Sequence, residues 1–302
     1  MNQRFTLVVA GVALAATLQA PTARAVSPGG NGRTAFLKGG DAYVFDGTFS
    51  RAVTSDHDWQ DRVTWCGPEA LVGERANVGL VEIPLDRNTT AGTEFVIYHD
   101  KNNTLRDPAC NAAGTRVAAV AGNTVFTVPT NGREGPTPLA YTARGGTAFE
   151  PAWSSDDRLL AFEDVPAKGD TSTIEIASTF GRFVSGGTAV TPPSPGLRHG
   201  PSWWKHKIYY WKESAAKPGS QGIFSVDDGN MNEFGPYGGT DGSLACTDPA
   251  ALPDGSGFEC VGSDNLIKRF PGPRTLNDTD AQKPDVEPVY EHEHEHSHCH
   301  CH

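Results

Sequence analysis

The chain has 302 residues, of which 37% are hydrophobic and 20% charged, and its formal net charge at neutral pH is −11. This composition is typical of a folded chain with a buried core, because disordered chains contain too few apolar side chains. The negative charge and the lack of a basic stripe exclude a nucleic-acid-binding role, since phosphate backbones repel such a surface. We therefore expect a folded protein with a cationic partner, either another protein or a small ligand.

The first 25 residues are typical of a secretory signal peptide. Arg4 precedes an apolar run at residues 5–18, and the segment ends in Ala23-Arg24-Ala25, an Ala-x-Ala cleavage site. The apolar run is too short to span a bilayer, and a short membrane anchor is the alternative. Cleavage after Ala25 removes two arginines, so the formal net charge changes from −11 to −13. We expect a secreted or periplasmic monomer without membrane insertion.

A short cassette recurs along the rest of the chain: Pro-x-Trp, then a turn, then an apolar strand. Its clearest copy is Glu150-Pro151-Ala152-Trp153-Ser154-Ser155-Asp156-Asp157, followed by Arg158-Leu159-Leu160-Ala161-Phe162. Further copies have their proline position at residues 63, 108, 201, 249 and 284, the first of them without proline. No segment of the mature chain has helical periodicity over three turns. Steps of 35 to 50 residues between strand-rich units predict an all-β fold of the β-propeller type.

The two ends of the repeat region complement each other. Residues 33–47 contain the later strands of a unit that lacks its Pro-x-Trp strand, and residues 284–290 supply an opening strand with no unit after it. Pairing of these segments would complete one blade and leave no free sheet edge. The sequence therefore predicts a six-bladed β-propeller over residues 26–290, closed by pairing of its N- and C-terminal segments.

The cassette resembles the repeat of the TolB-like β-propeller family, in which Pro-x-Trp-Ser-Pro-Asp-Gly precedes an Ile-Ala-Phe-like strand. The segments Pro151-Ala152-Trp153-Ser154-Ser155-Asp156-Asp157 and Leu160-Ala161-Phe162 carry the match, which extends over about residues 32–290. The chain departs from the pattern where Cys110, Ala251 and Val286 replace tryptophan and Ser155 replaces proline. It also has no room for the separate N-terminal domain of TolB itself. The resemblance therefore implies the repeat fold and not that particular protein.

Four of the six cysteines lie within the repeats, at Cys66, Cys110, Cys246 and Cys260. In an oxidising compartment they can form structural disulfides, and three pairings are possible. We favour Cys246–Cys260, which would tie the entry of one inner strand to the strand after it. Cys66–Cys110 would then link neighbouring blades. A pair of buried free thiols is the alternative.

Acidic residues and histidines precede several of the repeated strands. Asp107, Glu150 and Asp248 stand directly before proline, and His57 and His199 fall in equivalent loops. In related propellers these loops open on one face near the central channel, so the resemblance implies that the five side chains surround its mouth. There they are suited to bind a divalent cation or a basic peptide. The alternative is that the residue before each proline is merely extended and solvated.

The last twelve residues, 291–302, form a separate tail rich in histidine and cysteine. Its candidate metal ligands are His292, His294, His296, His298, Cys299, His300, Cys301 and His302. In an extended strand all six imidazoles would lie on one side, and imidazole and thiolate suit Zn, Cu or Ni with low selectivity. A purification tag and a solvated low-complexity end are the alternatives.

No nucleophile elbow, phosphate-binding loop or zinc-protease helix occurs in the sequence. The carboxylates of Asp56-His57-Asp58, Asp156-Asp157 and Asp227-Asp228 are more typical of turns than of catalysis. We therefore expect an exported binding module that recognises a protein or small ligand on its channel face. The alternative is a metal-assisted enzyme of lyase, lactonase or cyclase type at the propeller mouth, because propellers host both uses.

Overall fold

The computed structural model describes residues 32–46, 49–86, 88–142, 146–167, 171–180, 186–192, 196–213, 221–237, 246–252, 255–262, 266–270, 275–276 and 282–286. Within these ranges the chain is all-β and contains no helix. None of these residues therefore belongs to a helix that is long and apolar enough to cross a membrane. The predicted signal peptide and the His/Cys-rich tail lie outside the described residues.

The described strands form six antiparallel sheets of four strands each, which are the six blades. Blade 1 contains β1 (Thr34–Lys38), β2 (Asp41–Phe45) and β3 (Ser50–Ala52). Blade 2 contains β4 (Trp59–Trp65), β5 (Ala70–Arg75), β6 (Gly79–Pro84) and β7 (Phe95–His99). Blade 3 contains β8 (Arg106–Cys110), β9 (Arg116–Ala121), β10 (Thr124–Pro129) and β11 (Thr137–Tyr141).

The remaining blades follow in the same order along the chain. Blade 4 contains β12 (Thr147–Trp153), β13 (Leu159–Val165), β14 (Thr173–Ser178) and β15 (Thr188–Ala189). Blade 5 contains β16 (Arg198–Trp204), β17 (Lys207–Glu213), β18 (Gln221–Asp227) and β19 (Asn230–Tyr237). Blade 6 contains β20 (Cys246–Ala251), β21 (Phe258–Gly262), β22 (Ile267–Phe270) and β23 (Thr275–Leu276), and β24 (Gln282–Val286) completes blade 1.

Blade 1 is built from both ends of the repeat region. β24 pairs antiparallel with β1, so that Thr34 lies opposite Val286 and Leu37 lies opposite Gln282. The hydroxyl of Thr34 also donates a hydrogen bond to Glu259 Oε2 of blade 6 (2.8 Å). The prediction of a six-bladed propeller closed by its terminal segments is confirmed.

The first strand of each blade contacts the first strands of both neighbours, so β4, β8, β12, β16, β20 and β24 surround the central axis. The Pro-x-Trp cassette lies on these strands, and its tryptophan joins one blade to the preceding one. Trp153 Nε1 donates to the carbonyl of Ala109 (2.8 Å), and Trp203 Nε1 donates to the carbonyl of Ala152 (2.9 Å). Both acceptors occupy the middle position of the preceding cassette. These tryptophans therefore join neighbouring blades.

Buried apolar clusters fill the spaces between neighbouring blades. In one of them, Val72 and Leu80 of blade 2 pack with Val117 and Val128 of blade 3. Each blade buries its apolar faces against the two adjacent blades. The free energy gained by removing this surface from water is therefore shared between neighbours and stabilises the ring as a whole.

Cys66 and Cys110 form a disulfide with a Cα–Cα distance of 5.1 Å, which confirms that predicted pair. Cys110 stands at the cassette position of Trp153, so the disulfide joins blades 2 and 3 where an indole hydrogen bond joins blades 3 and 4. Cys260 is also disulfide-bonded. Cys246 lies in β20, but its side chain is outside the described part of the chain, so the Cys246–Cys260 pairing stays a prediction.

Candidate functional site

A β-bulge interrupts the first strand of each of blades 2 to 6. The register shifts lie between Gln60 and Val63, Arg106 and Ala109, Phe149 and Ala152, His199 and Ser202, and Thr247 and Ala250. Each bulge contains one residue with left-handed backbone, and these bulge residues are Asp61, Asp107, Glu150, Gly200 and Asp248, with φ between 48° and 59°.

The backbone at the bulge is strained wherever the residue is not glycine. A left-handed conformation costs an ordinary residue roughly 1–2 kcal/mol, so the flanking ladders must hold it in place. The side chains of Asp107 and Glu150 are also buried, with exposed fractions of 5% and 9%. The alternative of an extended, solvated residue before proline is therefore wrong at these two positions.

The bulge carboxylates bond to the backbone of the next blade. Asp107 Oδ2 accepts a long hydrogen bond from the N–H of Glu150 (3.4 Å), and Glu150 Oε2 accepts one from the N–H of Gly200 (2.6 Å). Both donors are themselves bulge residues. Blades 3, 4 and 5 are thus linked by a chain of acidic side chains around the axis.

Two further side chains meet Glu150 between blades 4 and 5. Glu163 lies on β13 opposite Phe149, beside the bulge, and its side chain is 1% exposed. His199, on β16, places Nδ1 2.9 Å from Glu163 Oε2, and its ring lies 4.5 Å from that of Trp211. One ligand atom each of Glu150, Glu163 and His199 lies within 4.8 Å of the others. We call these three residues the carboxylate–histidine cluster.

The cluster perturbs the pKa values of its own members. Burial raises the pKa of Glu163 to about 7, although the hydrogen bond and charge of His199 oppose the rise. Burial lowers the pKa of His199, but the hydrogen bond and charge of Glu163, followed by the charges of Glu150 and Asp248, outweigh it and raise the pKa overall. The Glu163–His199 pair can therefore hold or release a proton near neutral pH.

The other predicted site residues lie at different distances from this cluster. Asp107 is one blade before Glu150, and Asp248 is one blade after His199, where its Oδ2 accepts a hydrogen bond from the Thr247 hydroxyl (2.9 Å). His57 lies on the loop before β4, where Nδ1 is 2.6 Å from Asp41 Oδ2, and its side chain is 72% exposed. Four of the five predicted residues thus lie at or beside the bulges of neighbouring first strands, whereas His57 lies against the β1–β2 hairpin.

The repeat pattern did not indicate Glu163 or a second acidic pair, Asp61 and Glu74. Asp61 is the bulge residue of blade 2, and Glu74 lies on β5 opposite Gln60. The pKa of Glu74 is raised to about 8, first by burial and then by the charge and hydrogen bond of Asp61. The available signal was a carboxylate next to the apolar residues of a strand, because such a group is buried only where other polar groups meet it.

No protein-family model and no curated protein sequence matches the chain. Its fold does match solved structures. TolB from Acinetobacter baumannii is 15% identical with a TM-score of 0.61, over 85% of this chain and 67% of that one. A protein assigned as TolB from Agrobacterium tumefaciens is 14% identical with a TM-score of 0.62, over 87% and 99%. A chain of a nidogen/laminin complex is 10% identical with a TM-score of 0.63, over 85% and 98%. These likenesses establish a β-propeller fold similar to that of TolB.

Proposed function

We propose that this chain is an extracytoplasmic binding module that captures a cationic ligand, foremost a basic segment of another protein, at its channel mouth. The observation behind the proposal is the recurrence of acidic bulge residues on four blades, at Asp61, Asp107, Glu150 and Asp248. A cationic chain that enters along the axis would meet these carboxylates together, because the first strands surround the axis. Low-dielectric walls strengthen such an attraction.

Two observations support a location outside the cytoplasm. The Cys66–Cys110 disulfide is of a kind that persists in oxidising compartments and is rare in the cytosol. The N-terminal segment has the order of charge, apolar run and small residues that a signal peptide needs. The negative formal charge also favours association with basic partners.

The test is a charge-neutralising pair of substitutions, Asp107→Asn with Glu150→Gln. Each new amide oxygen can still accept the hydrogen bond from the next blade, so the substitutions remove charge while they keep the links. The matched control is Glu69→Gln with Glu134→Gln, two exposed acidic residues away from the bulges. A fluorescent Lys/Arg-rich peptide should bind the wild-type chain and the control equally and should bind the test variant at least about tenfold more weakly.

Binding should also weaken as salt rises, because salt screens the attraction between the basic peptide and the acidic bulge residues. EDTA in every titration removes divalent metal, so that the peptide alone is measured. Equal peptide binding by the test variant and the control would contradict the proposal.

We propose as well that the tail at residues 291–302 chelates transition metal without a role in folding. Six imidazoles and two thiols supply enough donors for four-coordinate Zn²⁺ or Cu²⁺. Calorimetric titration with Zn²⁺ should show additional sites in the full chain relative to a chain ending at Tyr290. Equal uptake by both would contradict a tail site.

A second candidate function is metal-assisted catalysis of the lyase, lactonase or cyclase type. The observation that favours it is the Glu163–His199 contact of 2.9 Å beside Glu150, with a raised pKa on both partners. General acid–base groups that titrate near neutral pH contribute typically about 10²–10⁴ in rate. A panel of lactones and esters should be turned over by the Zn²⁺-supplemented chain and at least about 100-fold more slowly by the Glu163→Gln variant. No turnover above buffer would exclude this function for those substrates.

A further inference from the structure

The carboxylate–histidine cluster offers a mixed set of donors, two carboxylates and one imidazole, with one ligand atom of each within 4.8 Å of the others. Ca²⁺ and Mg²⁺ take oxygen ligands and prefer six or more of them. An imidazole nitrogen instead suits zinc and the neighbouring first-row metals. Three protein ligands with a remaining open position are typical of zinc sites that exchange water or a ligand.

All three ligands lie on strands, and neighbouring groups hold two of them in position. The Gly200 N–H binds Glu150 Oε2 at 2.6 Å and so fixes the plane of that carboxylate. The Trp211 ring packs against the His199 ring at 4.5 Å. Ligands fixed by such neighbours lose little entropy when a metal binds, and hydrogen bonds to ligands typically strengthen metal affinity.

Glu163 supplies a separate reason to expect a cation. Its side chain is 1% exposed, and Oε1 is buried with no hydrogen-bond partner of normal geometry. The Ser172 hydroxyl lies beside Glu163 and donates a hydrogen bond to the carbonyl of Arg198 (2.8 Å). A buried carboxylate oxygen without a partner is costly, and a bound cation would satisfy it.

We propose that Glu150, Glu163 and His199 form a transition-metal site, with Zn²⁺ the best-suited ion, at the boundary between blades 4 and 5. The site takes two ligands from blade 4 and one from blade 5, so bound metal joins the two blades. It is distinct from the tail, because its ligands are part of the folded ring. It shares Glu150 with the proposed capture surface, so metal and basic peptide compete there, but metal binding does not require that the peptide proposal be correct.

The test uses Trp211 as a local reporter and Co²⁺ alone as the probe. A paramagnetic ion bound by His199 quenches the fluorescence of an indole in contact with that ring. The full-length protein should show a saturable quenching component that Zn²⁺ reverses. A Trp211→Phe variant should lack this component, because the reporter is gone while the ligands remain.

Three ligand variants and one tail variant complete the experiment. Glu163→Gln, Glu150→Gln and His199→Asn should each weaken Co²⁺ binding, measured by the Trp211 component, by about tenfold or more. A full-length variant with tail histidines changed to asparagine and tail cysteines to serine should keep the component unchanged. The two glutamine variants preserve side-chain shape, so they decide the question if His199→Asn fails to fold.

Each result bears on the site. Loss of the component in the ligand variants, with retention in the tail variant, supports it. An unchanged component in Glu163→Gln and Glu150→Gln, or its disappearance in the tail variant, overturns it. Peptide capture is measured in EDTA, so failure of the metal site and failure of the proposed function are distinguishable.

Discussion

Glu150 Oε2 accepts a 2.6 Å hydrogen bond from the backbone N–H of Gly200, the residue at the equivalent bulge of the next blade. This acidic side chain therefore satisfies a backbone donor at the bulge of the neighbouring strand, and it is also one of the acidic bulge residues proposed to attract a cationic ligand. Glu150→Gln removes the negative charge but keeps a hydrogen-bond acceptor, whereas Glu150→Ala removes both. The two substitutions therefore separate the electrostatic effect of Glu150 from its structural effect.

Glu150→Ala should destabilise the ring, and Glu150→Gln should do so much less. Alanine leaves the Gly200 N–H without its acceptor, and a buried unsatisfied donor costs about 1–3 kcal/mol. Glutamine keeps an acceptor oxygen in place. Urea denaturation of both variants, with Glu69→Ala as the exposed control, measures the difference. Equal midpoints for the alanine and glutamine variants would show that the hydrogen bond contributes nothing.

Glu74 should make the free energy of unfolding fall as pH rises. Its pKa is about 8 in the folded chain against an ordinary 4.5, so the folded state binds the proton more tightly. The resulting contribution to stability is full below pH 4.5 and is lost as pH rises through about 8. Glu74→Gln removes the titrating group, so it should be more stable than wild type at pH 9 by at least about 1 kcal/mol.

Denaturation of the wild type and Glu74→Gln at several pH values between 5 and 9 gives the comparison. The difference between the two chains should grow with pH, at up to about 1.4 kcal/mol for each pH unit. A constant difference across this range would mean that Glu74 titrates in the folded chain as it does in the unfolded one.

Loss of the Cys66–Cys110 disulfide should cost about 4 kcal/mol by the chain-entropy estimate for a sequence separation of 44 residues. The double variant Cys66→Ser with Cys110→Ser tests this by urea denaturation. Mass spectrometry of the unreduced, proteolysed protein should find Cys66 linked to Cys110 and, as predicted from the sequence, Cys246 linked to Cys260. A link between Cys246 and either cysteine of the first pair would contradict the blade alignment.

Deletion of residues from Lys283 onward should lower the melting temperature of the whole ring. β24 pairs with residues 34–37 of β1 and so completes blade 1. Its removal leaves that edge of β1 without a partner strand. Deletion of the tail alone, residues 291–302, is the matched control and should leave the melting temperature unchanged. Equal melting of both truncated chains would show that closure by β24 does not stabilise the ring.

The number of blades and the closing pair of segments could be predicted from the amino-acid sequence, whereas three pairings of the four repeat cysteines stayed open until the structure showed Cys66–Cys110. The physical reason is that each repeat has its own local pattern, and a cassette such as Pro151-Ala152-Trp153 repeats the same contact with the preceding blade. One copy was misaligned by one residue: the bulge of blade 2 contains Asp61 and Arg62, so its proline position is residue 62 and not residue 63, and Thr64 stands at the tryptophan position.

Which polar residues meet could not be predicted from the repeats and is known only from the folded chain. Glu163 is 36 residues from His199 and lies on a different blade. No local sequence pattern around either residue predicts that the two side chains meet. The repeat pattern predicted His57 in a loop equivalent to those of the other candidates, yet the other four lie on first strands, and the His57 imidazole contacts Asp41 of the β1–β2 hairpin. The position of a residue within the repeat predicts where its backbone lies in the blade. A contact between two blades also depends on the direction of each side chain and on the sequence of the neighbouring blade, and a single repeat contains no information on that neighbour.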